Sequence, residues 1–124
     1  MATTNRYIKV SFQKEGIHNY PLAPKEVEFL QYPHRHIFYF YVTLQVWHDD
    51  RDVEFILFKR ELQTLFNDVI LQVDYKSCEM IADDLLDYIE INYPNRYVQV
   101  EVYEDNENGA IVNNETNICT PRTH

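Results

Sequence analysis

The sequence contains little glycine and little cysteine, and both shortages narrow what the protein can do. It has two glycines, Gly16 and Gly109, in 124 residues, which excludes the glycine-rich loops that hold phosphate groups. Its two cysteines, Cys78 and Cys119, do not make a disulfide framework. A chain of this length is expected to bury one core rather than two.

Basic residues and long apolar runs are also scarce. The chain has 20 acidic and 11 basic side chains, a formal net charge of −9, and it lacks the basic stripe that grips phosphate backbones. No apolar run approaches the length of a membrane span, and Met1 to Arg6 has no signal-peptide core. We therefore expect a soluble, cytoplasmic protein that binds neither nucleic acid nor membranes.

Hydrophobic periodicity predicts four strands and two helices. Apolar and polar side chains alternate in the strands, and apolar side chains recur at helical spacing between the second and third strands. Ser77 is the predicted N-cap of the second helix, and Pro94 stops that helix. The predicted strands are 6–13, 37–48, 97–104 and 110–112, with a loop over 14–33 and a first helix whose apolar residues run from Phe55 to Phe66.

The order strand, strand, helix, helix, strand, strand predicts an α+β fold. Four antiparallel strands with both helices inserted at the centre would place the helices on one face of the sheet. We expect a single domain over residues 1–112 and a polar tail over residues 113–124. The other face of the long second strand carries Tyr39, Tyr41 and Trp47, so a second subunit is a candidate to cover it.

Three histidines form the pattern H-x15-H-x-H, at His18, His34 and His36. Residues two apart in a strand point to one face, so His34 and His36 can present their rings side by side. With His18 from the preceding loop they would supply three nitrogen ligands, the number found in catalytic zinc sites with one open position. Neutral imidazoles also suit iron and nickel. The alternative is a surface pair of histidines with no metal.

Glu104 ends an otherwise apolar strand face. It shares the face of Val98, Val100 and Val102, where a lone buried carboxylate costs on the order of several kcal/mol. A ligand that presents two N–H donors to the Glu104 carboxylate would explain why a carboxylate stands on this apolar face. The alternative is that the strand reaches solvent at Glu104, beside the acidic turn that follows.

Cys78 and His48 are further candidates for catalytic residues. Cys78 lies in the first turn of a helix, where the helix dipole favours a thiolate, but it also lies on the apolar stripe of that helix and is expected to be a core residue. His48 next to Asp49 and Asp50 looks like an acid–base pair. It follows His36 by twelve strand residues, about 40 Å of extended chain, so it cannot reach the same metal within one subunit.

The histidine pattern together with later motifs resembles the 6-pyruvoyl-tetrahydropterin synthase and 6-carboxytetrahydropterin synthase family. The matching segments are H-x15-H-x-H, Val53-Glu54-Phe55 with Lys59, Ser77-Cys78-Glu79, and Glu104 at a strand end. The resemblance covers about residues 6–112 and implies the T-fold, a ββααββ unit that forms closed barrels, commonly a hexamer of two trimers. It implies zinc on His18, His34 and His36. It also implies a pterin or purine-like ring held by Glu104, with Ser77 and Glu79 near the same pocket.

The chain also departs from that family at its proton-transfer groups. The synthases carry a catalytic cysteine shortly before the H-x-H pair, where this chain has Phe29-Leu30-Gln31-Tyr32-Pro33. They carry an Asp-His pair before the Ser-x-Glu motif, whereas residues 54–76 contain no histidine. Arg35 stands between the histidines where the family usually has glycine. The metal and ring positions match, and the usual catalytic residues do not.

Three functions follow as hypotheses. The first is an enzyme, a zinc-dependent lyase or synthase in pterin or 7-deazaguanine metabolism, in which Cys78 is the weak catalytic candidate. The second is a binding protein that sequesters or senses a purine-like molecule without converting it. The third is a structural ring assembly that has lost the use of its pocket.

Overall fold

A computed structural model describes residues 4–67 and 71–115 of the chain. These residues form a five-stranded sheet, two α-helices and one short 3-10 helix at Lys25–Gln31. The strands are β1 (Arg6–His18), β2 (His34–Val46), β3 (Leu71–Asp74), β4 (Val98–Glu104) and β5 (Asn108–Asn113), and the helices are α1 (Phe55–Thr64) and α2 (Cys78–Asn92). The α+β class is confirmed, and the strand number is five rather than four.

The sheet is built around one long antiparallel pair. β1 and β2 pair over their whole lengths, from Arg6 opposite Val46 to His18 opposite His34. β4 pairs antiparallel with the other edge of β2, and β5 pairs with β4. The strand order across the sheet is β3-β1-β2-β4-β5.

The predicted loop over 14–33 is wrong at its beginning. Residues 14–18 continue β1, and the alternation of exposed and buried positions runs on through Gly16 and His18. Each of these residues has a pairing partner on β2, so backbone hydrogen bonds extend the strand beyond its local apolar pattern. The predicted loop also contains the 3-10 helix.

β3 was not predicted. It has four residues and pairs in parallel with the end of β1, where Gly16 lies opposite Leu71. A strand this short carries no readable alternation, and its pairing depends on a distant partner.

The core lies between one face of the sheet and both α-helices. It contains Phe38, Phe40, Val42 and Leu44 of β2 and the inward valines of β4, and the helices cover them with Phe58, Leu62, Ile81, Leu85 and Ile89. Burial of each of these side chains contributes on the order of 1.5–3 kcal/mol. The opposite face of β2 is half-buried and carries tyrosine, threonine and glutamine.

The second helix and the final hairpin match their predictions closely. The Ser77 hydroxyl accepts a hydrogen bond from the Met80 N–H at 3.2 Å and caps α2. Asp105 and Asn106 both have positive φ angles, as in the tight hairpin turns that match the twist of paired strands. A side chain at Gly109 would lie 2.0 Å from the Val102 carbonyl oxygen, so this hairpin requires glycine there.

The predicted polar tail lies partly outside the described residues. Asn113 is the last residue of β5, and the Asn114 side chain accepts from the Val98 N–H and donates to the Arg96 carbonyl. Residues 116–124, including Cys119, are outside the described part of the chain. Neither α-helix is long and apolar enough to cross a membrane.

Candidate metal and ligand site

The antiparallel pairing of β1 and β2 brings the three histidines together. His18 ends β1 directly opposite His34, which begins β2, and His36 follows two residues later on the same face. The ring centroids form a nearly regular triangle, with separations of 4.6 Å, 5.2 Å and 4.9 Å. One nitrogen of each ring lies within 4.8 Å of the others, so this group could hold a metal ion. His18 is positioned by a strand end, not by the predicted loop.

Each histidine is oriented by a hydrogen bond at Nδ1. The acceptor is the Lys76 carbonyl for His18 (3.2 Å), the Tyr32 carbonyl for His34 (2.8 Å) and the Asp105 carboxylate for His36 (2.7 Å). Since these oxygens accept, each Nδ1 carries the proton in the neutral ring and Nε2 keeps its lone pair. This is the tautomer and the outer partner typical of metal-ligating histidines.

The Nε2 atoms of His18 and His36 are buried, and neither has a hydrogen-bond partner among the described residues. Buried polar nitrogen atoms are rarely left this way, because an unmade hydrogen bond costs about 1–3 kcal/mol. Burial is also the main reason that the pKa of His18 is lowered, although the Lys76 carbonyl and Glu104 act in the opposite direction. The donor set therefore fits a cation that would use these lone pairs.

Glu104 faces the histidines. It lies opposite Phe38 across the β2–β4 pairing, with its oxygens 3.2 Å from Nε2 of His18 and 3.4 Å from Nε2 of His36. The side chain is half-buried, so the alternative in which the strand simply reaches open solvent describes it poorly.

Asp105 is a site residue that the sequence analysis placed only in an acidic turn. One carboxylate oxygen contacts His36, and the other accepts from the Ile37 N–H at 3.0 Å. These two bonds, the His36 contact first, hold the pKa of Asp105 below its ordinary value. Its position after the Glu104 strand end was visible in the sequence, but the contact with His36 depends on the register between β2 and β4.

A cavity of about 530 Å³ opens beside the histidines. Its lining includes Glu104, Ser77 and Glu79, the residues that the resemblance implied for the ring, and two of the three histidines, His18 and His34. The remaining lining residues come mainly from the segment after β1, the start of α2 and the final hairpin, and include Asn19, Tyr20, Leu30, Tyr75, Lys76, Met80, Asn108 and Gly109. Ser77 and Glu79 are thus brought next to His18, His34 and Glu104.

Cys78 borders this cavity but is part of the core. It is 6% exposed, and its sulfur lies 3.9 Å from an oxygen of Glu104. Burial first, and then the negative charge of Glu104, raise the pKa of Cys78 to about 12. The expected effect of the helix dipole is thus outweighed, and the thiol is protonated at neutral pH.

Other residues that the sequence singled out lie outside the histidine cluster and the cavity. His48 is at the opposite end of β2, near Asp52. Arg35 is on the other face of the strand and pairs with Glu15 at 3.0 Å. Lys59, which belongs to the matching segments of the resemblance, lies in α1 and does not line the cavity.

No family model matches this chain, and no curated protein matches its sequence.

Proposed function

We propose that this chain is a divergent relative of the 6-pyruvoyl- and 6-carboxytetrahydropterin synthases that binds a divalent metal, zinc in the first instance, and a pterin- or purine-like ring. The observation that carries the proposal is the convergence of His18, His34 and His36, each hydrogen-bonded at Nδ1. In the part of the chain that the structure describes, the buried Nε2 atoms of His18 and His36 have no hydrogen-bond partner. Three imidazoles leave a zinc ion with a position for ligand or water.

The ring would lie in the adjoining cavity. At about 530 Å³ the cavity is within the range of small-molecule sites. A carboxylate can accept from two N–H groups at once, which gives Glu104 the role of ring anchor, with Ser77 and Glu79 beside it. Lys76 is the one basic side chain among the described lining residues, and it pairs with Asp84. This charge balance favours a ring ligand over a polyphosphate.

The bound metal would polarise a carbonyl or hydroxyl group on the ligand's side chain. Turnover as a lyase or synthase in pterin or 7-deazaguanine metabolism needs a proton-transfer group as well. A second candidate function is non-catalytic sequestration or sensing of a purine-like molecule. It is favoured by the protonated, buried thiol of Cys78, the one cysteine among the described lining residues of the cavity.

The T-fold resemblance extends the proposal to a homo-oligomer, a hexamer of two trimers. It is supported by the two outer strands, β3 and β5, each of which pairs on one side only among the described residues. Unpaired strand edges are the usual places where another chain adds.

Metal analysis of protein purified without chelator tests the first half of the proposal. We expect close to one divalent ion per wild-type chain and loss of that ion in His34→Ala, with the fold kept because His34 lies outside the core. His48→Ala is the matched control, since it removes an imidazole at the other end of β2. A wild-type protein that takes up no divalent ion even on dialysis against zinc contradicts the proposal.

Incubation with dihydroneopterin triphosphate, and in parallel with dihydroneopterin because the charge of the cavity disfavours a polyphosphate, separates the two candidate functions after chromatography. Consumed substrate supports an enzyme, and unchanged substrate that co-elutes with the protein supports a binding protein. Glu104→Gln should abolish co-elution, because an amide oxygen and an NH₂ group cannot replace two acceptors. Undiminished binding by that variant would remove Glu104 from the ring site.

A further inference from the structure

Glu104 is close to two histidine nitrogens without being hydrogen-bonded to them. Its oxygens are 3.2 Å and 3.4 Å from Nε2 of His18 and Nε2 of His36, yet neither nitrogen has a hydrogen-bond partner within residues 4–67 and 71–115. The contacts therefore have the distance of a hydrogen bond but not its direction. With Nδ1 protonated on both rings, carboxylate oxygens and nitrogen lone pairs face one another, an arrangement that is unfavourable unless a positive charge lies between them.

The same distances suit atoms that share one cation. Ligand atoms bound tetrahedrally to zinc at about 2.0–2.1 Å lie roughly 3.3 Å from one another. Oε1 of Glu104 is 3.2 Å from Nε2 of His18, and Oε2 is 3.4 Å from Nε2 of His36, so each carboxylate oxygen lies at about this distance from one of the two nitrogens.

We infer that Glu104 is the fourth metal ligand of the ligand-free protein, which closes the position that the three histidines leave open. The inference rests on the proposed metal site and deepens it. To accept two neighbouring N–H groups side by side, Glu104 must offer one lone pair on each oxygen, and ligation of the metal uses one of those oxygens. We therefore expect a ring that binds in this way to displace Glu104 from the ion. The open coordination position then exists only when the cavity is filled.

Cobalt(II) uptake by the ligand-free protein tests this inference, because four-coordinate cobalt absorbs visible light far more strongly than six-coordinate cobalt. Affinity is measured by competition with a chromophoric chelator. We expect an intense visible band in the wild type. In Glu104→Gln we expect affinity at least tenfold weaker and a changed spectrum.

Two further variants separate ligation from simple charge attraction. Glu104→Asp keeps the charge but withdraws the oxygens by one methylene group, so it should also lose affinity and the band. Glu107→Gln removes a neighbouring exposed charge and should match the wild type. Circular dichroism of each apo variant checks that the fold is retained.

The possible results have distinct meanings. If both Glu104 variants lose cobalt affinity and the visible band while Glu107→Gln keeps them, the result supports ligation by Glu104. Wild-type affinity and spectrum in Glu104→Gln, or in Glu104→Asp, overturn the inference while the three-histidine site stands. A wild type that binds no cobalt overturns the proposed function itself, and the carboxylate is then a counter-ion for protonated histidines.

Discussion

At the residue scale, the geometry of the candidate metal site depends on the groups that accept a hydrogen bond from Nδ1 of each histidine. Spacing alone places His34 and His36 on one strand face, and the H-x15-H-x-H pattern adds His18. The Asp105 carboxylate that orients His36 comes from 69 residues away in sequence, through a register between β2 and β4 that no local pattern encodes. The Lys76 carbonyl that orients His18 is likewise distant in sequence, 58 residues away.

Asp105→Asn is expected to weaken metal binding by about ten- to a hundredfold, the usual effect of removing an outer partner of a metal ligand. The asparagine can still accept from the Ile37 N–H, so the turn is kept, but His36 loses its anionic acceptor. Chelator competition measures the change.

Asp49→Asn is the control for this prediction, because Asp49 is exposed and lies in the turn after β2, away from the histidines. Equal zinc affinity in Asp105→Asn and the wild type would mean that the strand pairing alone fixes His36.

At the element scale, the elements with strong local signals were predicted and those that depend on pairing were not. α2 has an N-cap, an apolar stripe and a proline after its end, and it lies where those signals place it. The last five residues of β1 and all of β3 depend on neighbouring strands. The first helix was predicted through Phe66 but ends at Thr64. Phe66 still reaches the core and packs on Phe40, with ring centroids 4.8 Å apart.

Helix α1 offers a matched pair of leucines for measuring what its buried face contributes. Leu62 is fully buried against the sheet, whereas Leu57 on the same helix is 63% exposed. Leu62→Ala should lower the free energy of unfolding by about 2–5 kcal/mol, because it removes buried apolar surface and leaves a cavity.

Leu57→Ala should change the free energy of unfolding by less than about 0.5 kcal/mol. Urea unfolding followed by circular dichroism measures both variants. A large loss in Leu57→Ala would show that this exposed side of α1 is covered in solution.

At the scale of the whole molecule, the long β1–β2 pair separates two polar centres. The histidines lie at one end, and an ion pair between Arg96 and Asp52 lies at the other, with the Arg96 Nη1 atom 2.8 Å from the Asp52 Oδ2 atom. The Asp52 carboxylate also accepts from the Trp47 N–H. The Trp47 backbone bond first, and the Arg96 contact after it, hold the pKa of Asp52 below its ordinary value.

Asp52→Asn should therefore destabilise the protein in a pH-dependent way. A carboxylate whose pKa is lower in the folded than in the unfolded state stabilises the fold fully above the unfolded value of about 3.9, and this stabilisation is lost as the pH falls through the folded pKa. At pH 7 the variant should lose about 2 kcal/mol, because the half-buried Arg96 is left without its charged partner.

Urea unfolding between pH 7 and pH 2 measures the difference in the free energy of unfolding between the wild type and Asp52→Asn. We expect this difference to become smaller as the pH falls. Asp49→Asn in the same turn should stay close to the wild type throughout. If the difference in the free energy of unfolding between the wild type and Asp52→Asn does not vary with pH, the loss comes from hydrogen-bond geometry rather than from charge.

The placement of the single tryptophan has an optical consequence. Trp47 lies just beyond the end of β2, 53% exposed and with the Arg96 guanidinium carbon 5.2 Å from its ring. It follows His36 by eleven residues of extended chain, roughly 36 Å. We therefore expect its emission to report on the integrity of the Arg96 end of the sheet and not to change when ions bind at or leave the other end. The two ends of the sheet can therefore be monitored separately. Trp47 fluorescence reports on the Arg96 end, and the visible absorption of a substituted metal reports on the histidine end.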